Sequence, residues 1–397
     1  MPIEIIDGIY YVGIHDWNLR NFHGYSTYRG STYNSYLIVD DKIALIDQVK
    51  GPFTEEFIKN IEEIVPLDKI DYLICNHLEG DHSQSLVKIS ELAKNAQIIT
   101  SERGKPGFLK MYKKDWDIKP VKEGDELNLG KRKLKFLPVP MIHWPDSMMT
   151  YCLPDKILFS NDAFGQHICR SKIFDDENDL NKILDEAKKY YANIVMHLSG
   201  IILRALKKIT EDLKLEIKMI CPSHGVIWRS HTLKIIEKYL YWSNRNTEEK
   251  VLIIYDTMWH STEKMAMAIA EGIITEGVET RIYNLTLTDN SDIIKEVLDS
   301  RALLIGTPTI NNGIFPTVGG FLTYLKGLKP PAKIASAFGS YGWSPKGGVE
   351  AALEELKEAK IPEIIEPIKC QFTPDPEELE ACKEWGKNIA IKVKSLS

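Results

Sequence analysis

The sequence has six cysteines in 397 residues but no C-x-x-C pair. Pairs at that spacing are the usual ligands of tetrathiolate iron sites and zinc ribbons, so the chain is predicted to contain neither. Several of the cysteines lie in apolar runs, where a thiol is usually a small buried hydrophobic group. The cysteines are therefore interpreted as core residues.

Long apolar runs and concentrated positive charge are also missing. No apolar stretch approaches the roughly 20 residues of a membrane span, and the N-terminal MPIEIIDGIYYVG lacks the basic start of a secretory signal. The net charge is −6 without a basic block, which argues against a nucleic-acid binder held by phosphate contacts. The length allows two ordinary domains. We predict a cytoplasmic globular protein that binds neither membranes nor nucleic acids.

The main chemical signal is the segment HLEGDH at residues 77–82, which follows a short apolar run. The run predicts a buried strand, and four of the six residues after it can bind a metal ion. In an extended or loop segment, four residues at positions 77, 79, 81 and 82 cannot easily all reach one small ion. They suit two adjacent ions, with His77 and Glu79 facing one ion and Asp81 and His82 facing the other.

Three further candidate ligands lie where predicted strands end: His143, Asp162 and His224. Strand ends are where a sheet protein gathers a site on one edge. Seven candidates exceed what one tetrahedral ion needs, but they would serve two ions that share a bridge. The alternative for the histidine-rich segment is a solvated turn, and a single histidine is commonly a surface or core residue.

The chain is predicted to form two domains, residues 1–245 and 250–397, separated by a polar run. In the first domain, strand-like runs occur in two groups, and helices cover them, which predicts a layered α/β sandwich. The first group lies at residues 9–12, 36–39, 43–46 and 72–75, and the second at about 97–100, 133–139, 148–152 and 157–160. The helical patterns lie at 53–64, about 178–213 and 232–243.

Residues 250–397 alternate regularly between short strands and helices. The predicted strands are 251–255, 280–284, 302–306, 333–338 and 364–370. Five strands interleaved with helices indicate a doubly wound parallel sheet. Polar loops follow the first, third and fourth strands, so we expect them to meet at the carboxyl edge of this sheet.

These three loops predict a flavin mononucleotide (FMN) site. The first loop leads into a helix with backbone N–H groups and hydroxyls suited to a phosphate, but it has neither a Walker lysine nor the dinucleotide glycines. The other two loops offer amides and aromatic rings for a flat heterocycle. An ordinary helix cap is the alternative for the first loop. The predicted FMN-binding residues are Thr257, Met258, Trp259, His260, Ser261, Thr262, Pro308, Thr309, Ile310, Asn311, Asn312, Ser340, Tyr341, Gly342 and Trp343.

The order H-x-E-x-D-H, His, Asp, His, followed by a flavodoxin-like domain, resembles the flavodiiron protein family (A-type flavoproteins). The resemblance covers essentially the whole chain. It implies a metallo-β-lactamase-like αββα sandwich followed by a flavodoxin-like doubly wound parallel sheet. Zinc hydrolases of the metallo-β-lactamase fold usually carry histidine where this chain has Glu79, and an anionic carboxylate among imidazoles suits iron.

The resemblance further implies two iron ions and FMN as cofactors. It places His77, Glu79 and His143 on one iron and Asp81, His82 and His224 on the other, with Asp162 bridging. The implied activity is reduction of O2 to water through FMN. The implied donor is reduced coenzyme F420, because IHWPDS at 142–147 and NDAFGQH at 161–167 are similar to methanogen members that oxidise it.

Three alternatives stay open. One is a nitric oxide reductase with a rubredoxin donor. The second, from a different class, is a zinc hydrolase with an attached flavodoxin module, against which Glu79 argues. The third is a flavin electron carrier whose metal site is structural, although structural sites are usually closed and rich in cysteine. No rubredoxin-like extension is apparent, so the donor is expected to be a separate molecule.

The functional unit is expected to be at least a head-to-tail homodimer, with a tetramer as a larger alternative. Compact domains of these sizes have radii of gyration near ~18 and ~15 Å. A flavin and irons at the far edges of two such domains would be too distant for fast electron transfer within one chain. Pairing the flavin domain of one chain with the metal domain of the other removes this distance by symmetry.

Overall fold

The structure is a computed structural model that describes residues 2–396. Two units can be distinguished in it. Residues 2–23, 27–190 and 200–240 form the first unit, and residues 24–26, 191–199 and 241–396 form the second.

Within the described residues, the first unit contains a seven-stranded sheet and a five-stranded sheet. In spatial order, the strands of the seven-stranded sheet are Ile3–Ile6, Ile9–Tyr11, Tyr36–Ile38, Ala44–Ile46, Tyr72–Cys75, Gln97–Ser101 and Ile118–Val121. Those of the five-stranded sheet are Glu126–Asn128, Lys133–Pro138, Met148–Leu153, Ile157–Asn161 and Met219–Pro222. Further short strands are Ile14–Asp16, Asn21–Phe22, Tyr25–Ser26 and Ser31–Tyr33.

The assignment of residues 97–100 to the second strand group is wrong. Gln97–Ser101 pairs in parallel with Tyr72–Cys75 and with Ile118–Val121, inside the seven-stranded sheet. A parallel neighbour must be reached by a crossover, and the helix Leu86–Leu92 lies within that connection. Sequence order therefore misled the grouping, because a helix here joins two strands of the same sheet.

Alternating side chains of the seven-stranded sheet pack against different layers. Leu45 belongs to a core that includes Phe57 of a covering helix, whereas its neighbour Ile46 belongs to a core shared with Phe159 of the other sheet. Successive residues of a strand point to opposite faces, so a strand buried on both faces is apolar throughout. This explains why these strands appear as continuous apolar runs in the sequence.

Seven α-helices lie between residues 54 and 243. They are Thr54–Glu62, Gly80–Ser83, Leu86–Leu92, Gly104–Tyr112, Leu180–Tyr190, Ser199–Lys207 and Thr232–Ser243. The shorter helical turns are 3-10 segments at Gly51–Phe53, Leu67–Lys69, Asp175–Glu177 and Met196–Leu198, and π segments at Tyr191–Val195 and Lys208–Asp212.

The helical pattern predicted over about 178–213 is not one continuous α-helix. It is interrupted at residues 191–198 by the π segment and the 3-10 turn. Asn193, Ile194 and Val195 have low helix propensity. In addition, the Asn193 side chain donates to the Ser291 carbonyl and accepts from the Tyr324 hydroxyl, so this segment belongs to the second unit.

The second unit is built on a parallel sheet. In spatial order its described strands are Glu279–Asn284, Glu248–Tyr255, Ser300–Gly306, Ile334–Tyr341 and Glu363–Ile364, with Ile368–Gln371 also paired to Ile334–Tyr341. Its helices are Ser261–Thr275, Asn290–Val297, Pro316–Leu328, Gly348–Glu358 and Pro376–Ser395. The strand order 2-1-3-4-5 is that of a doubly wound, flavodoxin-like sheet, as predicted.

The prediction of one continuous strand over residues 364–370 is wrong. The chain forms two short strands with Pro367 between them. Proline has no backbone N–H to donate to the sheet, so it interrupts the pairing. Among residues 2–396, no helix is both long enough and apolar enough to cross a membrane.

Candidate metal centre and flavin pocket

Each candidate metal ligand lies just beyond a strand or in a loop between strands. His77 and His224 each lie two residues after a strand, the first after Tyr72–Cys75 and the second after Met219–Pro222, and Asp162 follows Ile157–Asn161 directly. Glu79 precedes the one-turn helix that carries Asp81 and His82, and His143 lies in the loop before Met148. The fold therefore brings together all seven predicted ligands.

Their ligand atoms form two groups. His77, Glu79, His143 and Asp162 make one, and Asp81, His82 and His224 make the other, with the ligand atoms of each group within 4.8 Å of one another. In the first group, the His143 Nε2 lies 3.3 Å from Glu79 Oε2. In the second, the His224 Nε2 lies 3.2 Å from Asp81 Oδ2.

Asp162 lies between the two groups and contacts each with a different oxygen. Its Oδ2 is 3.3 Å from His143 Nε2 and 3.7 Å from His77 Nε2. Its Oδ1 is 3.0 Å from His82 Nε2 and 3.5 Å from His224 Nε2. A carboxylate in this position has the geometry of a bridge between two cations.

Hydrogen bonds on the far side of the imidazoles turn their Nε2 atoms toward the centre. The His77 Nδ1 lies 3.0 Å from Asp146 Oδ2, and the His224 Nδ1 lies 2.6 Å from the carbonyl oxygen of Thr32. A metal-binding histidine usually donates its other ring N–H to a carboxylate or carbonyl in this way, which fixes the tautomer.

Five buried ligand atoms of the centre lack a hydrogen-bond partner among the described residues. Both oxygens of Asp81, both ring nitrogens of His82 and the Oδ2 of Asp162 are buried, and none has a hydrogen bond of good geometry with residues 2–396. Buried polar groups are normally satisfied, so a set of unsatisfied ligand atoms facing one another fits a cation. The mixed imidazole and carboxylate donors suit iron, zinc or manganese.

The electrostatics agree with a cation site. Burial alone would lower the pKa of His77. Its side-chain hydrogen bonds, first to Asp146 and then to Glu79, outweigh this effect and raise the pKa to about 10. For His143, burial is likewise outweighed by Asp162 and Glu79, which raise its pKa to about 10. Histidine ligands must be neutral, so metal binding displaces the protons that these carboxylates stabilise in the metal-free protein.

Several residues that support this centre were missed at the sequence level. The buried Asp47 accepts hydrogen bonds from the backbone and side chain of Asn76, which precedes His77, and from the side chain of Asn161, which precedes Asp162. It thereby ties together the backbone before two candidate ligands. Asp47 follows the strand Ala44–Ile46, so the strand-end argument could have identified it.

Tyr190 and Ser223 act on Asp162 itself. The Tyr190 hydroxyl donates to Asp162 Oδ1 at 3.0 Å, and the Ser223 hydroxyl donates to the same oxygen at 3.2 Å. Burial and then the charge of Asp162 raise the pKa of Tyr190 well above its ordinary value, so Tyr190 stays a donor at neutral pH. Tyr190 ends a helix, where no sequence signal distinguished it from a core tyrosine.

The second unit has a cavity of about 620 Å³ at the carboxyl edge of its sheet. Eleven of the fifteen predicted flavin residues line it: Met258, Trp259, Ser261, Pro308, Thr309, Asn311, Asn312, Ser340, Tyr341, Gly342 and Trp343. The rings of Trp259 and Trp343 are 84% and 88% exposed, which leaves their faces open to a planar ligand. A cavity of this size suits a mononucleotide.

One end of the loop at 256–262 fits a phosphate. The hydroxyl oxygens of Thr257 and Thr262 are buried without a partner among the described residues, and the helix Ser261–Thr275 has no side-chain cap at its N-terminus. Unpaired N–H groups at a helix N-terminus attract an anion. These two threonines do not line the open cavity, but their hydroxyls are the natural partners for phosphate oxygens.

The remaining predictions for this pocket have mixed outcomes. The His260 side chain is turned to Glu263, with Nδ1 2.6 Å from Oε2, and neither it nor Ile310 lines the cavity. The prediction missed Phe372 and Thr373, which line the cavity after the strand Ile368–Gln371, and Ser344. Phe372 and Thr373 follow the rule that loops at strand carboxyl ends form the site.

Comparison with known proteins identifies relatives over the whole chain. Residues 32–225 match the model of the ODP family beta lactamase, and residues 253–386 match the flavodoxin model. The chain is 48% identical to a nitric oxide reductase of Moorella thermoacetica over 99% of both chains. It superposes on rubredoxin oxygen:oxidoreductase from Desulfovibrio gigas with a TM-score of 0.97 and 38% identity, over 100% of this chain and 99% of that one. The flavodiiron protein of Giardia intestinalis gives a TM-score of 0.96 at 37% identity, over 100% and 97%.

The Asp146–His77 hydrogen bond yields a first prediction. We expect Asp146→Ala to lower metal affinity about 10- to 100-fold, because His77 loses the carboxylate that orients its ring. Metal retained after dialysis against a graded chelator measures the effect. Asp176→Ala, which removes a carboxylate that pairs with Arg229 on the protein surface, is the matched control. Equal metal retention in the two variants would contradict this role for Asp146.

The two buried hydroxyls yield a second prediction. Thr257→Val with Thr262→Val keeps the side-chain shape but removes two donors, so FMN affinity should fall by about two orders of magnitude at ~1.5 kcal/mol for each lost charged hydrogen bond. Fluorescence titration of the flavin-free protein with FMN measures it. Thr275→Val, at the other end of the same helix, is the control, since its hydroxyl bonds the Glu271 carbonyl. Unchanged affinity in the double variant would place the phosphate elsewhere.

Proposed function

This chain belongs to the flavodiiron protein family, and we propose that it reduces dioxygen to water, or nitric oxide to nitrous oxide, with electrons that pass through FMN to two iron ions. The observation that carries the proposal is the position of Asp162, with one oxygen toward each group of candidate ligands. This position supports a centre of two metal ions, and Glu79 is the residue that argues against a zinc hydrolase.

The proposed ligands are divided between two irons. His77, Glu79 and His143 would hold one iron, and Asp81, His82 and His224 the other, with Asp162 bridging them. Glu79 favours iron over zinc, because a hard anionic oxygen among imidazoles stabilises the ferric state. When bound, two ferrous ions and a fully reduced flavin together supply the four electrons that reduction of dioxygen to water requires.

The protein residues hold this centre in place and limit its exposure. Tyr190 and Ser223 donate to Asp162 Oδ1 and thereby fix the plane of the bridging carboxylate. Asp146 and the Thr32 carbonyl fix the rings of His77 and His224. Trp144 packs edge-on against the His77 ring, with centroids 5.2 Å apart.

The electron donor is proposed to be a separate molecule, with reduced coenzyme F420 as the first candidate and a rubredoxin as the second. The similarity to a rubredoxin:oxygen oxidoreductase supports the second, and the segments at 142–147 and 161–167 support the first. Stopped-flow reduction of the bound flavin by each donor separates them. The proposed location is the cytoplasm.

Glu79→His tests the function and the metal together. We expect this variant to bind zinc in place of iron at the first position and to lose O2 and NO reduction, while FMN stays bound in its own unit. Metal analysis, flavin content and gas consumption with a chemically reduced flavin measure the three effects. Glu91→His, which changes a charge exposed on the surface, is the control.

The outcomes of this experiment are distinct. Full iron content with full activity in Glu79→His would remove Glu79 as the selecting ligand. Stoichiometric zinc in the unmodified protein, with hydrolysis but no gas consumption, would overturn the proposed function itself.

We further propose a head-to-tail homodimer as the functional unit. Trp259, Trp343 and Phe372 are large apolar side chains at the flavin pocket, and each is more than half exposed. Such clusters on a soluble protein commonly mark an interaction surface. The same contact used twice would bring the flavin of one chain to the metal centre of its partner and cover these rings.

Mixing two inactive variants tests electron transfer between chains. One variant carries Thr257→Val and Thr262→Val, and the other carries His224→Ala with Asp81→Ala. Equal random mixing makes about half of the dimers heterodimeric, each with one complete pair of sites, so about a quarter of native activity should return. Heterodimers that form but stay inactive, together with full turnover in a diluted monomer, would contradict the prediction.

A further inference from the structure

Behind the loop that carries His143, the first unit contains a cavity of about 270 Å³ that is separate from the metal centre. Nine of its twelve lining residues are apolar, among them Leu137, Val139, Ile142, Ile201 and Ala205. Leu137, Val139 and Ile142 are at least 93% buried. The cavity therefore lies between the loop after the strand Lys133–Pro138 and the helix Ser199–Lys207.

The charged lining residues lie at its solvent side. Glu123 and Lys208 form an ion pair of 2.6 Å with side chains 48% and 43% exposed, and Arg204 is exposed as well. An exposed ion pair of this kind contributes little to stability and opens readily. The cavity is thus an apolar pocket with a charged border on its solvent side.

The inner wall of the cavity belongs to the loop that holds the metal centre. Ile142 is bonded directly to His143, and the Ile142 N–H donates to the Val139 carbonyl. Four residues further, Asp146 of the same loop holds His77. The cavity is therefore lined by the residue that directly precedes a candidate metal ligand.

We propose that this cavity collects the apolar diatomic substrate, O2 or NO, and supplies it to the metal centre past Ile142. This inference rests on the proposed function. The volume is below the range of about 300–1,000 Å³ typical of sites for larger ligands, whereas an apolar cavity of about 150 Å³ already stays dry and binds xenon. A side route also leaves gas access open when a partner's flavin unit covers the front of the centre.

Xenon tests occupancy independently of turnover. Crystals of the iron- and FMN-loaded protein under xenon pressure are expected to show xenon against Ile142 and Ala205. Ala205→Phe places a ring in the cavity and should exclude xenon. Lys207→Phe adds the same ring on the exposed side of the same helix and should leave the xenon in place.

Gas kinetics test the supply route. In Ala205→Phe, kcat/KM for O2 and for NO should fall about three- to tenfold, with kcat at saturating gas unchanged, because only entry is impaired. Iron and flavin content should equal those of Lys207→Phe. Ile201→Phe fills the cavity from another position and should show the same split if Ala205→Phe does not fold.

Four results would overturn the proposal. The first is an unmodified protein that consumes gas but holds no xenon in the cavity. The second is a variant that excludes xenon and keeps kcat/KM. The third is density for a long aliphatic molecule filling the cavity, which would make it a lipid site. The fourth is a protein that consumes neither gas, and this result alone would also remove the proposed function.

Discussion

The structure of the first unit depends on one electrostatic constraint, the convergence of three carboxylates in a site that is almost closed to water. Asp81 and Asp162 are each only a few percent exposed, and Glu79 is 18% exposed at its side chain. Burying a charge is costly unless it is paired and hydrogen-bonded. In the metal-free protein, protonated imidazoles such as those of His77 and His143 supply the positive charge. As metal ligands the same imidazoles must be neutral, so bound cations would then balance the carboxylates. Asp162 connects the two ligand groups. The orientation of its carboxylate plane decides whether both groups can bind an ion at the same time.

The metal centre and the flavin pocket differ in how firmly their residues are held in place before a cofactor binds. At the metal centre, Asp47, Asp146 and Tyr190 form buried hydrogen bonds that fix the backbone before His77, the ring of His77 and the carboxylate of Asp162. Such preorganisation suits a centre that must keep two ions at a fixed separation. The flavin pocket instead leaves Trp259 and Trp343 exposed, so its aromatic contacts form only when FMN or a partner protein is present.

Residues whose role is local could be predicted from the sequence. The seven candidate ligands were identified because each stands at or near a strand end, and the alternation of strands and helices over residues 250–397 predicted the doubly wound parallel sheet. Contacts between residues that are distant in the sequence were not predicted. Gln97–Ser101 was assigned to the wrong sheet because only three-dimensional pairing shows the crossover. Tyr190 reaches Asp162 across 28 residues, and nothing in its helix marks it. Phe372 directly follows a strand of the second unit, so the strand-end rule was available for it but was applied only to other loops.

The uneven exposure of the ligands indicates where the substrate approaches. His77, His82 and His224 have side chains at most 1% exposed, whereas those of Glu79 and His143 are 18% and 16% exposed. Solvent, and hence any small reactant, reaches the centre from the Glu79 and His143 side. The apolar cavity lies behind the same loop, next to His143. Under the proposed function, Glu79, the carboxylate that would favour iron over zinc, would therefore also be among the ligands nearest to the approaching gas.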